Sequence, residues 1–371
     1  MSAPRSLLDD AALTVAEGGR VDDPHVRLVV VHWRRAADTA RCLRSLAELE
    51  YRNFSVIVVD NGSGDRSGDE VASAATGAGF VVHRCGLDAS AAELASPPPV
   101  EGVATPGPAL WLIDAPTNAG YAGGVNRAVA VSKRIGGAPW TWLLNADLVV
   151  APDSLDALVR RCQHDPAIAV CGARQYLMSE DGEVGGLFAA GGFGFWPWLG
   201  HSWSIRVDGS SSVIDEEVEA RLAGVHGAAV FARTELLEAT PFDEDRFLFF
   251  EEQQLALAVR RAGLRLGYAS AAVVHHVGGT SLGSGHVRTS ELSRYFMARS
   301  RLLFTVRYRR LAVPTVLAYE LFHACVLTVR DGWPYARATL RGTVDGLLGR
   351  VRHFPALEPS TLTTGGRRAR S

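Results

Sequence analysis

The pattern that most restricts this chain is the alternation of short apolar runs with helical stretches through its first half. Arg27 to His32 reads RLVVVH, Asp38 to Leu49 spaces Ala, Leu and Arg at helical intervals, and Ser55 to Val59 (SVIVV) is a second buried run closed by Asp60-Asn61-Gly62-Ser63. β-Branched runs without polar alternation suit strands covered on both faces, and a helix joining two such strands makes them parallel. Val81-Val82, Leu110 to Ile113 and Trp142 to Leu144 supply further strands, and Gly123 to Arg134 a further helix. The expectation is an α/β fold with a doubly wound, mostly parallel sheet. Ligands in such sheets bind beyond the carboxyl ends of the strands.

Two segments break this rhythm. Residues 86 to 109 contain Ser96-Pro97-Pro98-Pro99 and Pro106-Gly107-Pro108, which read as an exposed loop. Residues 184 to 203 mix glycines and a proline with three tryptophans and three phenylalanines, among them Trp196 and Trp198. Aromatics on so flexible a backbone fit either a binding surface or a buried plug better than a regular sheet. From Glu291 onward the pattern is helical, and the apolar middle helix carries Glu320 and His323. It reads as packed on the main domain, with docking at a membrane surface as the alternative. The tail after Pro359 reads as disordered.

A net charge of -2 over 371 residues offers no basic surplus for nucleic acid. The 5 cysteines lack C-x-x-C spacing, which favours a reducing cytosol over a disulfide framework. The acids near the N-terminus oppose a signal peptide, and the chain reads as soluble or peripheral to a membrane.

Carboxylates stand where chemistry is expected. Leu143-Leu144-Asn145-Ala146-Asp147 ends a buried strand with Asp147 emerging at its carboxyl end. Phe242 to Ser281 sets Glu251 and Glu252 at the start of an amphipathic helix and runs on to His275-His276-Val277-Gly278-Gly279. Acids and an imidazole brought together this way suit a site that handles protons and a metal.

The ordered set VVVHW, VVDNGSGD, TNAGYAGGVN, LLNAD, GAAVFART, FDEDRFLFFEE and HHVGGTS resembles the glycosyltransferase family 2 enzymes, especially their rhamnosyltransferase-like branch, over roughly residues 26 to 310. The resemblance implies a GT-A fold and an inverting transfer from a nucleotide sugar, assisted by Mg²⁺ or Mn²⁺. It implies donor-binding roles for His32, Asp60, Asn118, Gly120, Asn126, Asn145 and Asp147, with the Asp60 carboxylate accepting the ring N–H of a pyrimidine. On the residues alone Asp60 is a turn cap, and Asn118 to Asn126 a glycine-rich turn that opens a helix.

Asn145 replaces the first acid of the family's Asp-x-Asp, so Asp147 is the charged metal ligand and His276 the implied second ligand. His275 is the alternative. Glu252 falls on the family's base, with Glu251 beside it. Adjacent residues at a helix start are expected to diverge, so that one alone reaches the acceptor. Gln254 stands where the family has an acid, implying an altered acceptor contact. Asp243 is expected to support the acceptor-side loop, with Trp196 and Trp198 facing the same cleft.

The domain organisation that follows is an N-terminal segment over 1–25 and a transferase domain over 26–285. Its donor-binding half is 26–150 and its acceptor and catalytic half 151–285. A helical region over 286–358 and a tail over 359–371 complete it. The implied donor is a UDP- or dTDP-sugar, with rhamnose or another deoxysugar favoured. The acceptor is a glycan, a lipid-linked saccharide or a small molecule such as an antibiotic aglycone. Cytoplasmic residence, peripheral membrane contact and a homodimer all fit. Two other classes stay open, namely a nucleotidyltransferase, although VVVHWRRAADT lacks its basic glycine-rich loop, and a catalytically silent nucleotide-sugar-binding scaffold.

Overall fold

The computed structural model describes residues 23–94, 107–207, 215–277 and 290–350. Its first half is built from β1 (Val26–His32), α1 (Ala36–Ala47), β2 (Phe54–Asp60), α2 (Ser67–Gly77), β3 (Val81–Gly86), α3 (Ala91–Leu94), β4 (Ala109–Asp114), α4 (Gly120–Arg134) and β5 (Trp140–Asn145). The strands are parallel in the order β3-β4-β2-β1-β5. Apolar-polar alternation is absent from β1 and β2 because both faces are covered: Leu28, Val30, Val56 and Val58 pack in one layer, Val29, Ile57 and Val59 in the other. Successive strand residues point to opposite faces, so an unbroken apolar run feeds two cores at once.

The second half continues the sheet as β12 (Ala229–Arg233), β7 (Ile168–Met178), β13 (Arg265–Val277) and β6 (Leu148–Val150), with β8 (Val184–Ala190) paired to β7. β12 runs antiparallel to both β5 and β7, whereas β13 is parallel to β7. α5 (Ser154–His164), α6 (Asp215–Glu219), α7 (Thr234–Ala239) and α8 (Glu251–Arg261) complete the layers. The sheet is therefore mostly parallel, as the alternation predicts, with reversed strands in its second half.

The glycine- and tryptophan-rich segment is strand, not loop. It forms β8, then β9 (Gly192–Trp196) and β10 (His201–Ser204), the latter two joining β11 (Gly224–Val225) in a small antiparallel sheet. The glycines are there for clearance. A Cβ on Gly194 would lie 2.3 Å from the ring of Trp203, its cross-strand partner, and one on Gly224 would lie 2.3 Å from the ring of Phe193. Flexibility read from composition is here space made for aromatic rings.

Three helices close the chain: α9 (Glu291–Tyr308), α10 (Val313–Arg330) and α11 (Trp333–Leu347). Arg299 is buried on α9 and donates to the carbonyls of Asp245 and Arg246, tying the helices to the segment that precedes α8. α10 packs on α9 and α11 but leaves Leu321, Phe322, Val326 and Val329 exposed, so the expectation of a helix covered by the main domain holds for one face only. Among the described residues, Arg310–Arg330 is the one helix long and apolar enough to cross a membrane. Its Glu320, buried against Arg301, belongs to a protein interior.

The expected tail after Pro359, the Pro-rich stretch around 97–99 and the Gly278–Ser281 part of the histidine motif lie outside the described residues.

Candidate functional site

The turn after β5 brings Asn145 and Asp147 to the carboxyl edge of the sheet, where β13 ends beside it. The Val277 N–H donates to the Asp147 carbonyl at 2.8 Å, and β6 pairs with β13 at Leu148 and His276. Strand alternation then decides between the two histidines. His276 points inward, its Nε2 3.1 Å from Asp147 Oδ2, while His275 faces the other way and stacks on Tyr176. Burial alone would lower the pKa of His276, but the hydrogen bond and charge of Asp147 outweigh it and raise it.

His226, which no sequence motif singles out, lies close enough to feel that imidazole. Burial, then the His276 charge, push its pKa down to about 4, so it stays neutral. The signal was its place between Gly224 and Gly227, where small residues let a backbone come close to a site.

His276 shares one cleft of about 360 Å³ with the acid pair, and Asp147 reaches that cleft through its bond to the histidine. The walls of the cleft include Asn145, His226, His276, Glu251, Glu252 and Trp203. Glu251 and Glu252 both line this cavity at the start of α8, behind Phe250 in the left-handed region (φ 72°). Glu251 is buried with one oxygen unpartnered among the described residues. Desolvation, and then the charge of Glu252, raise its pKa to about 8. Glu252 is also raised by burial, but its own N–H and that of Gly227 favour its ionised form. Two adjacent buried carboxyls, both raised, resist ionising together.

A metal can be tested against these residues. Asp147 Oδ1 is buried and without a partner among the described residues, and Oδ2 already faces an imidazole nitrogen, a carboxylate and histidine set that suits Mn²⁺ or another borderline ion. Among the described residues no three His, Cys, Asp or Glu side chains converge. The pair fits a metal whose remaining ligands are phosphate oxygens.

Several residues assigned to the donor or acceptor make structural bonds. His32 is buried, with Nδ1 2.8 Å from Thr39 and Nε2 3.0 Å from Ser67, so neither nitrogen is left for a donor. Asn126 clamps α4 to the 242–244 segment, exchanging bonds with the Phe242 backbone and donating to Glu244. Asn118 accepts from Asn61 and from the Gly120 N–H, and Gly120 (φ +73°) packs on Phe247, whose carbonyl would lie 2.2 Å from an added Cβ. Asp60 accepts the Ser63 N–H at 3.0 Å, the turn cap its residues foretell.

Gln254 is buried away from the cleft. It accepts from Arg246 and the Asp243 N–H and donates to the Pro241 carbonyl, so it holds the segment before α8 rather than an acceptor. Asp243 does support that segment, through Arg246 and Arg307. Trp196 and Trp198 are exposed near the β9–β10 hairpin, where the Trp198 carbonyl accepts Thr315 of α10. The tryptophan in the cleft is Trp203, which lines it together with its neighbours Ser202 and Ser204. A separate open hollow of about 610 Å³ lies at the carboxyl ends of β1 and β2, lined by Arg34, Arg41, Arg66, Asp65 and Glu70.

The family described as Glycosyltransferase like family 2 matches residues 24–301. Among solved structures, the mannosyltransferase PcManGT from Pyrobaculum calidifontis, in complex with GDP-Man and Mn²⁺, is similar at 16% identity and a TM-score of 0.51, with 88% of each chain covered. TarS 1-349 of S. aureus aligns at 14% identity and a TM-score of 0.48, covering 88% of this chain and 82% of its own, too distant to carry an argument. No curated protein sequence matches the chain. With a mostly parallel sheet, a carboxylate at the end of β5 and a match over most of its length, this GT-A-fold chain belongs to the family Glycosyltransferase like family 2.

Proposed function

We propose that this glycosyltransferase is an inverting, metal-dependent hexosyltransferase using a UDP- or dTDP-sugar, with a deoxysugar such as rhamnose the favoured cargo. The acceptor is a hydroxyl of a glycan, a lipid-linked saccharide or a small molecule. The observation that carries the reading is one cleft lined by Glu251, Glu252 and His276, with Asp147 bonded to that histidine.

A divalent ion held by Asp147 and His276 would neutralise charge on the leaving diphosphate. The acceptor oxygen attacks the anomeric carbon on the face opposite the diphosphate, and its proton passes to the Glu252 carboxylate. The new C–O bond forms as the bond to phosphate breaks, and that electron pair leaves with the nucleoside diphosphate. The two buried carboxyls resist ionising together, so one of the pair at a time serves as the charged base, and its position in the family's motif favours Glu252. The aromatic wall at Trp203 and Phe249 limits water near the reacting carbon.

The test is a screen of UDP-, dTDP- and GDP-sugars for Mn²⁺-dependent hydrolysis, with nucleotide protection against thermal unfolding read in parallel. Asp147→Ala should abolish both. Nucleotide binding by the parent with no sugar turned over from any donor would replace this reading with the silent scaffold, and full activity in chelator would remove the metal from it. We also propose a cytoplasmic enzyme that touches the inner face of a membrane through α10, supported by the exposure of Phe322 and Val329 on that helix.

A further inference from the structure

A second hollow, of about 230 Å³, lies between β10 and the three C-terminal helices. It is lined by His201, Arg294, Tyr319, Glu320, His323 and Thr339. Ser202 and Met297 form part of its wall and part of the wall of the catalytic cleft, so the two hollows are neighbours.

Its lining carries several polar atoms without partners among the described residues. Glu320 is 0% exposed; one carboxylate oxygen pairs with Arg301 and the other, Oε2, has no partner. Thr339 is 1% exposed with a free hydroxyl. Arg294 Nε and His323 Nδ1 are likewise buried and unsatisfied. Buried polar groups are nearly always hydrogen bonded, so a cluster of exceptions facing one cavity marks the place of something that bonds to them. A single water, with a share of liquid volume of about 30 Å³, is far too small to fill the space.

The mixture of partners selects the chemistry. Glu320 Oε2 needs a donor, Arg294 Nε needs an acceptor, and the threonine hydroxyl and a neutral imidazole can be either. Burial, then the charges of Arg301 and Arg294, push the His323 pKa down to about 4, which keeps that ring neutral. A carboxylate offers acceptors only, a phosphate mostly acceptors, and either would set a negative charge against Glu320. A polyol offers both from every hydroxyl.

We propose that this cavity is an acceptor subsite for a glycosyl unit adjacent to the one that receives the new sugar, so that the acceptor is itself a glycoside. The inference rests on the transfer reading above for the word acceptor, but the sugar site stands on its own geometry.

The full-length protein is titrated with methyl glycosides of the common hexoses, deoxyhexoses and N-acetylhexosamines by saturation-transfer NMR, with inorganic phosphate as a second probe and UDP, dTDP and GDP plus Mn²⁺ as a third. At least one glycoside should bind saturably. Thr339→Val and His323→Phe should each weaken it about tenfold, the scale of one lost hydrogen bond in a dry site, and leave nucleotide affinity unchanged. Because the Thr339 hydroxyl has no partner, Thr339→Val should keep or raise Tm, so a loss of sugar binding cannot be ascribed to unfolding.

The proposal is overturned if no glycoside binds while a nucleotide does, if binding is the same in both variants, or if phosphate displaces the glycoside competitively. Glycoside binding that the variants weaken, in a protein that binds no nucleotide, would sink the transfer reading and support the sugar site.

Discussion

Gly227 lies so close to Glu252 that a Cβ added to it would be 2.1 Å from Oε1. The obstructing atom is the end of a flexible side chain, so Gly227→Ala should fold normally and push the carboxylate aside. Turnover should fall by about 10²-fold, the usual effect of misplacing a catalytic group by an ångström, while the donor Kd stays put. Steady-state kinetics beside nucleotide binding checks this, and unchanged kcat would show that Glu252 is not the base. Glu251 gives a prediction of opposite character. Its pKa is raised from 4.5 to about 8, so the folded chain holds a proton that the unfolded chain releases. Stability from that group is present in full below about pH 4.5 and is lost as pH rises toward 8. Glu251→Gln cannot ionise, and should match the parent Tm near about pH 5 and exceed it near about pH 9. Parallel Tm curves across that range would mean Glu251 is not desolvated. Both residues were legible as an acid pair at a helix start, but the cleft they share was not. Spacing along a chain does not reveal a left-handed residue before a helix.

The segment from Pro241 to Phe250 aims that acid pair, and it does so under strain. Phe247, Phe249 and Phe250 all have positive φ, between 67° and 72°, a region that costs a bulky residue on the order of 1–3 kcal/mol. Buried Arg246 offsets the strain from inside through Gln254 and Asp243, while Arg299 and Ser300 of α9 hold its carbonyl. Gln254→Ala should therefore lower stability by about 2–4 kcal/mol in denaturant unfolding, since it leaves a buried guanidinium and an N–H short of a partner, and should reduce kcat with it. A loss of activity without a loss of stability would return Gln254 to the acceptor. The central strands were legible because Val and Ile runs have one physical use, burial on two faces. β9 and β10 were not, because glycine in a strand signals clearance only when the ring that needs it is known. Trp196 and Trp198 carried the aromatic signal toward the hairpin, while the cleft took Trp203.

At the scale of the whole molecule, the three C-terminal helices brace the strained segment on one side and present apolar surface on the other. Phe322 and Val329 are 67% and 91% exposed, and Arg337 and Arg341 of α11 are exposed as well. Exposed apolar side chains and exposed arginines on two packed helices suit an anionic lipid surface. The protein should co-sediment with phosphatidylglycerol vesicles in a salt-sensitive manner, and Phe322→Asp with Val329→Asp should abolish this while nucleotide binding persists. Equal recovery of parent and double variant would remove the membrane contact. The sheet itself has a temporal consequence. β1 to β5 are joined by neighbouring helices, so the first half of the sheet can assemble from local pieces, whereas the Asp147 turn is closed by the distant β13, through the Val277 N–H. The bond that ties Ser154 to Val273 in the same region spans 119 residues. Closing so long a loop comes late, because its entropy must be lost before any contact compensates for it. The carboxylate and the imidazole therefore meet near the end of folding, and a newly made chain passes through a stage with its first sheet in place and no means of holding a metal.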